Sequence, residues 1–231
     1  MPDNSGATPP GGRGGQRNLS VRLRTAAGRS PASQRWLRRQ LNDPFVAQAK
    51  TEGWRSRAAF KLIALDDRYH LLGNGARVLD LGAAPGSWSQ VALKRGAARV
   101  VGIDLLPMTP MPGAVFLQGD CREPDMLARL VQELGGAADV VLSDMAPNTT
   151  GHGATDHLRI VALAEIALEA AIAVLAPGGA FVAKVFQGGT EQELLALLKT
   201  RFAAVHHAKP PASRKESSEL YVVATGFRPA R

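Results

Sequence analysis

From Arg77 onward the chain alternates short apolar runs with helical patterns, and this alternation restricts the fold more than any other feature of the sequence. The runs are "RVLDL", "RVVGIDL", "AVFLQ", "DVVLSDM" and "AFVAKVF", all rich in β-branched or other apolar residues. Helical patterns begin between them, near Gly86, Glu123, Thr155 and Thr190. Strands that are apolar throughout are buried on both faces, and parallel neighbours need a crossover connection. The pattern therefore predicts an α/β fold, a mostly parallel sheet with helices on both faces. The end departs from it. "FAAVHHAKP" and "ELYVVATGF" are joined by "PASRKESS" with no helix between them, which predicts a C-terminal antiparallel strand pair at one side of the sheet.

Ahead of this region two helices are expected. Ser30-Pro31 supplies an N-cap followed by proline at the first helical position, opening a helix that runs to about Leu41. A second is expected to start at Ser56 and to continue through "RAAFKLIALDDRYHLL". Arg57 and Lys61 lie four apart in it and share a face, where two cations make sense if that face meets an anion; the alternative is a free surface pair. Residues 1–29 are rich in Gly, Pro, Ser and Arg without hydrophobic periodicity and read as a disordered basic arm. Residues 30–231 form the second expected unit, one domain with an N-terminal helical extension.

Charge and cysteine usage narrow the function. Of the formal net charge of +8, +6 falls within Met1–Ala49, where eight arginines (Arg13, Arg17, Arg22, Arg24, Arg29, Arg35, Arg38 and Arg39) oppose Asp3 and Asp43. A basic arm on a nearly neutral body is the electrostatic footprint of a nucleic-acid binder; the alternative is a solubilising tail. Cys121 is the only cysteine, so no intrachain disulfide can form, and a reducing cytoplasmic location is expected. The five histidines show no metal-ligand spacing with it, and no metal site is expected. Met1–Gly15 lacks the apolar core of a signal peptide. The longest apolar stretch, "AAIAVLAPGGAFVA", is broken by Pro177-Gly178-Gly179, so no membrane partner is expected.

The segment "VLDLGAAPGSWSQ" reads as a buried strand, a glycine loop and the start of a helix. In an open α/β sheet, ligands sit outside the carboxyl ends of the strands, where the strand order reverses. Gly82 and Gly86 flank the turn there and let backbone approach a ligand. Asp104 closes the next strand, 22 positions after Gly82, where an acid accepts from ribose hydroxyls. Asp120 follows the third strand and can receive an adenine amino group, and Asp144 ends the fourth. A nucleoside is the expected ligand. The spacing G-x-G-x-x-G is missing, and Asp80 and Asp144 nearby would repel a pyrophosphate. A cationic, phosphate-free nucleoside such as S-adenosylmethionine suits the site better.

"RSRAAFKL", "DLGAAPGSWSQ", "DLLPM", "FLQGD", "SDMAPN", "LAPGGAFVAKVFQG" and "ELYVVATG" together resemble, in order, the FtsJ-type 2'-O-methyltransferases of large-subunit ribosomal RNA. The resemblance covers about Ser33 to Gly226. It implies a Rossmann-like S-adenosylmethionine-dependent methyltransferase acting on a uridine ribose of 23S ribosomal RNA in the large subunit; separately, a monomer is expected. It places cofactor contacts at Gly86, Trp88, Asp104, Asp120 and Asp144, and a Lys-Asp-Lys-Glu catalytic set at Lys61, Asp144, Lys184 and Glu219. One position departs from the family pattern: Ser87 stands where relatives commonly carry a second glycine, and its Cβ requires a negative φ. The basic arm lies outside the shared pattern.

Taken singly, these residues have plainer readings. Lys184 would be an edge or snorkelling residue, Glu219 a solvated strand face, Trp88 core, and Asp80 a hydrogen-bond acceptor for its loop. What outweighs those readings is convergence of Asp104, Asp144 and Lys184 at strand ends on one edge of the sheet. A ribose hydroxyl becomes a competent nucleophile as its proton leaves, and a lysine in an apolar strand is a group that can take that proton when desolvated or beside another cation. Two other readings stay open, a transfer RNA ribose methyltransferase and a non-catalytic RNA-binding ribosome assembly factor.

Overall fold

The structure is a computed structural model, and it describes residues 30–147, 152–187 and 192–230. The basic arm expected over residues 1–29 therefore lies outside the described residues. Backbone packing divides the chain into two units, Met1–Ala47 and Gln48–Arg231.

In the first unit, α1 spans Pro31–Leu41. Its cap is the expected one: the Ser30 side chain accepts from the Ser33 amide at 3.2 Å, with Pro31 at the first helical position. At the other end the Asn42 side chain donates to Arg38 O at 2.8 Å, satisfying a terminal carbonyl. A helix absent from the sequence expectation follows, α2 (Pro44–Glu52), whose residues 44–47 end the first unit and 48–52 begin the second. Its start repeats the Ser30-Pro31 device, because the Asp43 carboxylate accepts from the Phe45 amide at 3.0 Å just ahead of Pro44.

The second unit carries the sheet. The helix expected from Ser56 begins three residues later, as α3 (Ala59–Tyr69). Ser56 O, Arg57 O and Ala58 O accept from the amides three positions on, so a tight turn precedes the regular helix. The remaining elements are β1 (Arg77–Leu81), α4 (Ser87–Lys94), β2 (Arg99–Asp104), β3 (Ala114–Gln118), α5 (Pro124–Leu134), β4 (Ala138–Ser143), α6 (Gly153–Val174), β5 (Leu175–Phe186), α7 (Gln192–Arg201), β6 (Phe202–Ala208) and β7 (Glu219–Phe227). They follow the expected alternation closely.

Among the described residues the strands form one seven-stranded sheet, ordered β3-β2-β1-β4-β5-β7-β6. Strands β1 to β5 pair in parallel, and β7 runs antiparallel between β5 and β6. Strand order reverses between β1 and β4, which opens a crevice at their carboxyl ends. Pro177-Gly178-Gly179 does not end β5. Ala138 pairs with Leu175 and Val140 with Ala180, so those residues bulge out of one long strand, with Gly178 at φ +83°.

Successive strand residues point to opposite faces, and this builds two apolar layers. Leu79, Leu81, Val101 and Ile103 pack with Met126 and Leu130 of α5, Leu168 of α6 and Leu194 and Leu198 of α7. Val78, Val100, Val140 and Val182 pack with Leu62 and Leu65 of α3 and Trp88 and Val91 of α4. Each such fully buried side chain contributes about 1.5–3 kcal/mol, enough to hold the strand ends in register against the helices. Among the described residues no helix is long and apolar enough to cross a membrane.

Candidate active site

Asp80 sits one residue before the end of β1 and is 1% exposed. Ser89 of α4 donates its hydroxyl to one Asp80 oxygen at 2.7 Å, while the other has no partner among the described residues. Burial, followed by the nearby carboxylates of Asp144 and Asp104, pushes this carboxyl up to about 7 against the donated bond from Ser89. Its role is that of a loop support, tying the strand end to the helix start. Because the folded value lies above the ordinary 3.8, stability from Asp80 is full below pH 3.8 and is lost as pH rises through about 7. Asp80→Asn is expected to fold and to flatten the decline of stability across that window, which denaturant titrations of both proteins at several pH values would measure.

Two glycines shape the loop that follows. Gly82 has φ +71°, and a Cβ there would lie 2.5 Å from Met145 Cγ and 3.1 Å from Met145 Cα. Gly86 has φ +98°, and its Cβ would meet the Arg55 guanidinium at 2.8 Å. Both conformations disfavour any side chain, so the sequence has glycine where the turn needs it. Ser87, the departure from the family pattern, is the first residue of α4 and is buried, and its hydroxyl shares a 2.7 Å hydrogen bond with Ser56. Its side chain is thus accommodated by pairing with α3's preceding turn.

The loop borders a cavity of about 380 Å³ at the carboxyl ends of the strands. Gly82 and Ala84 line it after β1, Asp104 and Leu105 after β2, Asp120 and Cys121 after β3, and Asp144 and Met145 after β4. That volume suits a small-molecule ligand. Asp104 accepts from the Ala84 amide at 2.9 Å and from the Leu106 amide at 2.9 Å, one bond per oxygen. Each oxygen keeps a lone pair for a ligand. Asp120 is held by Arg122, whose Nε and Nη2 both donate to it, and those bonds keep its carboxyl below the ordinary range. Leu105 and Leu106, 66% and 62% exposed, form an apolar wall beside these acids.

Gly86 and Trp88 are not among the residues lining this cavity. Trp88 is buried, donates its indole N–H to Ala58 O at 2.8 Å, and packs on Tyr221 with ring centroids 5.6 Å apart. Its side chain is core. Gly86 caps α4, whose first amides have no side-chain cap.

Asp144 belongs to the cavity and also to a cluster of charged residues. Its Oδ1 lies 2.7 Å from Lys184 Nζ, which donates as well to Asp144 O at 2.9 Å. Lys61 Nζ stands 4.0 Å from the same Oδ1 and donates to Glu219 Oε2 at 2.8 Å. The four residues expected to act together, Lys61, Asp144, Lys184 and Glu219, are therefore brought together. Lys184 is only 8% exposed. The apolar-strand lysine is paired, as a buried cation must be. The anion expected on the Lys61 face is the protein's own Glu219. Burial pushes the Asp144 carboxyl up, yet Lys184 and Lys61, with hydrogen bonds from Lys184 and Tyr221, outweigh it and hold it below the ordinary value.

Two members of the cluster escaped the sequence reading. Tyr221 donates its hydroxyl to Asp144 Oδ1 at 2.6 Å and accepts from Lys61 Nζ at 3.1 Å. Burial, with Asp144 and Glu219 adding to it, pushes this phenol well above its ordinary range, so Tyr221 is a donor here and not a base. The signal was its place two residues beyond Glu219, on the same strand face. Ser213, buried in the β6–β7 loop, donates to Glu219 Oε1 at 2.7 Å. Nothing in "PASRKESS" distinguishes it from its neighbouring serines before the loop is folded. Arg57, on the turn before α3, pins the same loop by donating to Ala212 O. Among the described residues there is no group of three or more His, Cys, Asp or Glu placed to hold a metal.

A reversing α/β sheet with an acid-lined cavity of small-molecule size at its switch point, and a lysine–carboxylate cluster at one of those acids, has the layout of an α/β enzyme. Comparison with known proteins is more specific. A family model described as FtsJ-like methyltransferase matches residues 54–227. The chain belongs to this family. It is 66% identical over 215 residues to the ribosomal RNA large subunit methyltransferase E of Gluconobacter oxydans, covering 93% of this chain and 80% of that one. Over 215 residues it is 68% identical to the protein of the same name from Granulibacter bethesdensis, covering 93% and 94%. Among solved structures, a ribosomal RNA methyltransferase from Plasmodium falciparum superposes with a TM-score of 0.67 at 32% identity, over 77% of this chain and all of the other.

Proposed function

We propose that this chain transfers the methyl group of S-adenosylmethionine to a ribose 2'-hydroxyl, that of a uridine in 23S ribosomal RNA of the large subunit. One observation carries the reading. Asp144 is shared between the cavity and the Lys61–Lys184–Glu219 cluster, so a donor in the cavity and a hydroxyl at the cluster would meet there. The names of the close relatives support the choice of large-subunit RNA.

The residues present fit the donor. Three carboxylates, Asp104, Asp120 and Asp144, line the cavity against one cation, Arg122, and this excess of acids favours a cation and disfavours a pyrophosphate. When bound, S-adenosylmethionine supplies a methyl group on a cationic sulfur. Asp104 would hold the ribose hydroxyls and Asp120 the adenine amino group. Trp88 would contribute its main-chain amide at the start of α4, where no side chain caps the helix, and Gly86 the left-handed turn ahead of it, its own amide donating to Ala83 O. Asp144 and Glu219 orient the two lysines, Tyr221 bridges Asp144 and Lys61, and Lys184, once its ammonium has released a proton to solvent, takes over the hydroxyl proton on the freed lone pair. The chain lowers the barrier mainly by positioning, with proton removal assisting.

Incorporation of labelled methyl from S-adenosylmethionine into a panel of 23S, 16S and transfer RNA, followed by nucleoside digestion, tests this. Label recovered as 2'-O-methyluridine from 23S RNA is expected. Label confined to transfer RNA would move the substrate, and no label in any RNA, or in assembled large subunits, would reduce the chain to a binding factor. Asp104→Ala is expected to weaken the donor by about 1–3 kcal/mol, since it removes charge-assisted bonds. Calorimetry showing unchanged affinity would take Asp104 out of the site.

A further inference from the structure

Arg55 lies on the turn before α3, and its guanidinium is spent on main-chain carbonyls of two different loops. Nη1 donates to Pro85 O at 2.9 Å and to Thr109 O at 2.8 Å, and Nη2 donates to Pro110 O at 2.8 Å. Pro85 belongs to the glycine loop after β1, whereas Thr109 and Pro110 belong to the connection between β2 and β3. The guanidinium also lies over the Phe116 ring of β3, 5.6 Å from its centroid. Its own backbone is fixed to α4, because the Gln90 side chain accepts from the Arg55 amide at 3.0 Å and donates to Gly53 O at 2.9 Å.

Both loops are walls of the cavity: Gly82 and Ala84 line it from one, and Leu105 and Leu106 from the other. Inside, they are tied by the Ala84 amide on Asp104. Arg55 ties them at Pro85, Thr109 and Pro110. A planar fork with several fixed donors can join three carbonyls from two segments, which a lysine ammonium on a flexible stem does less well. The close fit also explains Gly86, where a Cβ would strike Nη1.

We propose that Arg55 is a positioning residue for the methyl-donor site, a clamp that holds the glycine loop and the β2–β3 connection at the spacing the donor requires. The inference rests on the reading of the cavity as the S-adenosylmethionine site. Removing the clamp lets the two walls part, so only a fraction of molecules is competent to bind. If that fraction falls to about a tenth, the apparent dissociation constant rises about tenfold.

The test compares the parent, Arg55→Ala and Arg55→Lys by calorimetry with S-adenosylmethionine and S-adenosylhomocysteine, by steady-state methylation of 23S RNA, and by hydrogen exchange. The expected result is a rise of about tenfold in dissociation constant and in KM for the donor in Arg55→Ala, and a smaller rise in Arg55→Lys. Turnover should recover at saturating donor, KM for RNA should stay near the parent value, and exchange should quicken at residues 84–86 and 105–113. Should Arg55→Ala fail to fold, Arg55→Lys decides. Unchanged donor affinity in a folded variant overturns the clamp, as does a defect confined to RNA affinity, which would make Arg55 a phosphate contact. A parent protein that binds neither adenosyl compound overturns the donor-site reading itself, and the clamp with it.

Discussion

Lys184→Met is expected to reduce single-turnover methylation by about 10²–10⁴-fold, the usual cost of removing a positioned proton acceptor. Methionine keeps most of the stem volume inside the apolar strand, so packing between Ala183 and Val185 survives. Lys184 is not among the residues lining the cavity proposed for the donor, so donor affinity should survive too. The geometry motivates the size of the effect. Lys184 Nζ lies 2.7 Å from Asp144 Oδ1, at the acid shared by cavity and cluster. The measurement is a single turnover at saturating donor and RNA, with calorimetry confirming that the variant binds donor. Near-parent rates would mean that the enzyme works by positioning alone. Lys61→Ala should hurt less, because Lys61 stands farther from that acid and is paired with Glu219.

Asp144→Ala carries the second large effect, and here stability falls as well as activity. The carboxylate stands between Lys184 and Lys61, and its removal leaves a largely buried lysine without its counter-charge. Breaking a buried pair from one side costs about 3–5 kcal/mol, because the surviving charge is desolvated and unpaired. A urea titration should show that loss. Adding Lys184→Met should restore part of it, since the double variant no longer buries that lone cation. Failure of the second substitution to recover stability would mean the pair is not coupled as the distances indicate. The pH dependence has a definite sign. Asp144 is held below the ordinary 3.8, so its stabilisation is present above pH 3.8 and is lost as pH falls through the lower folded value. That acid limb should be missing in Asp144→Ala.

Much of the fold was legible because its signals are local. Apolar runs of five to seven residues flanked by helical patterns mark β1 to β4 within a residue or two, and Ser30-Pro31 marks the start of α1. The same rule applied to Asp43-Pro44 would have found α2, whose weakly patterned "PFVAQAKTE" hid it. The regular part of α3 starts at Ala59, three residues beyond the expected Ser56, whose hydroxyl accepts from the Ala58 amide at 3.2 Å and pairs with Ser87 in the turn before the helix. Lys61 and Glu219 were linked by resemblance alone, since no spacing rule joins residues 158 positions apart.

The sequence alone determined the strand–helix alternation, the glycines at Gly82 and Gly86, and the presence of acids after the strands, since each depends on a residue's own conformational or burial preference. Tertiary structure alone decided which side chains share a charge. Strand order places β7 antiparallel beside β5, with Lys184 opposite Tyr221, and this sets the Tyr221 hydroxyl against Asp144 and Lys61. Folding of the β6–β7 loop likewise selects Ser213 for Glu219, and the meeting of two cavity loops gives Arg55 its three carbonyls. A hydrogen bond or an ion pair exists only at a distance, and distances between residues remote in the chain are fixed by packing rather than by any local pattern.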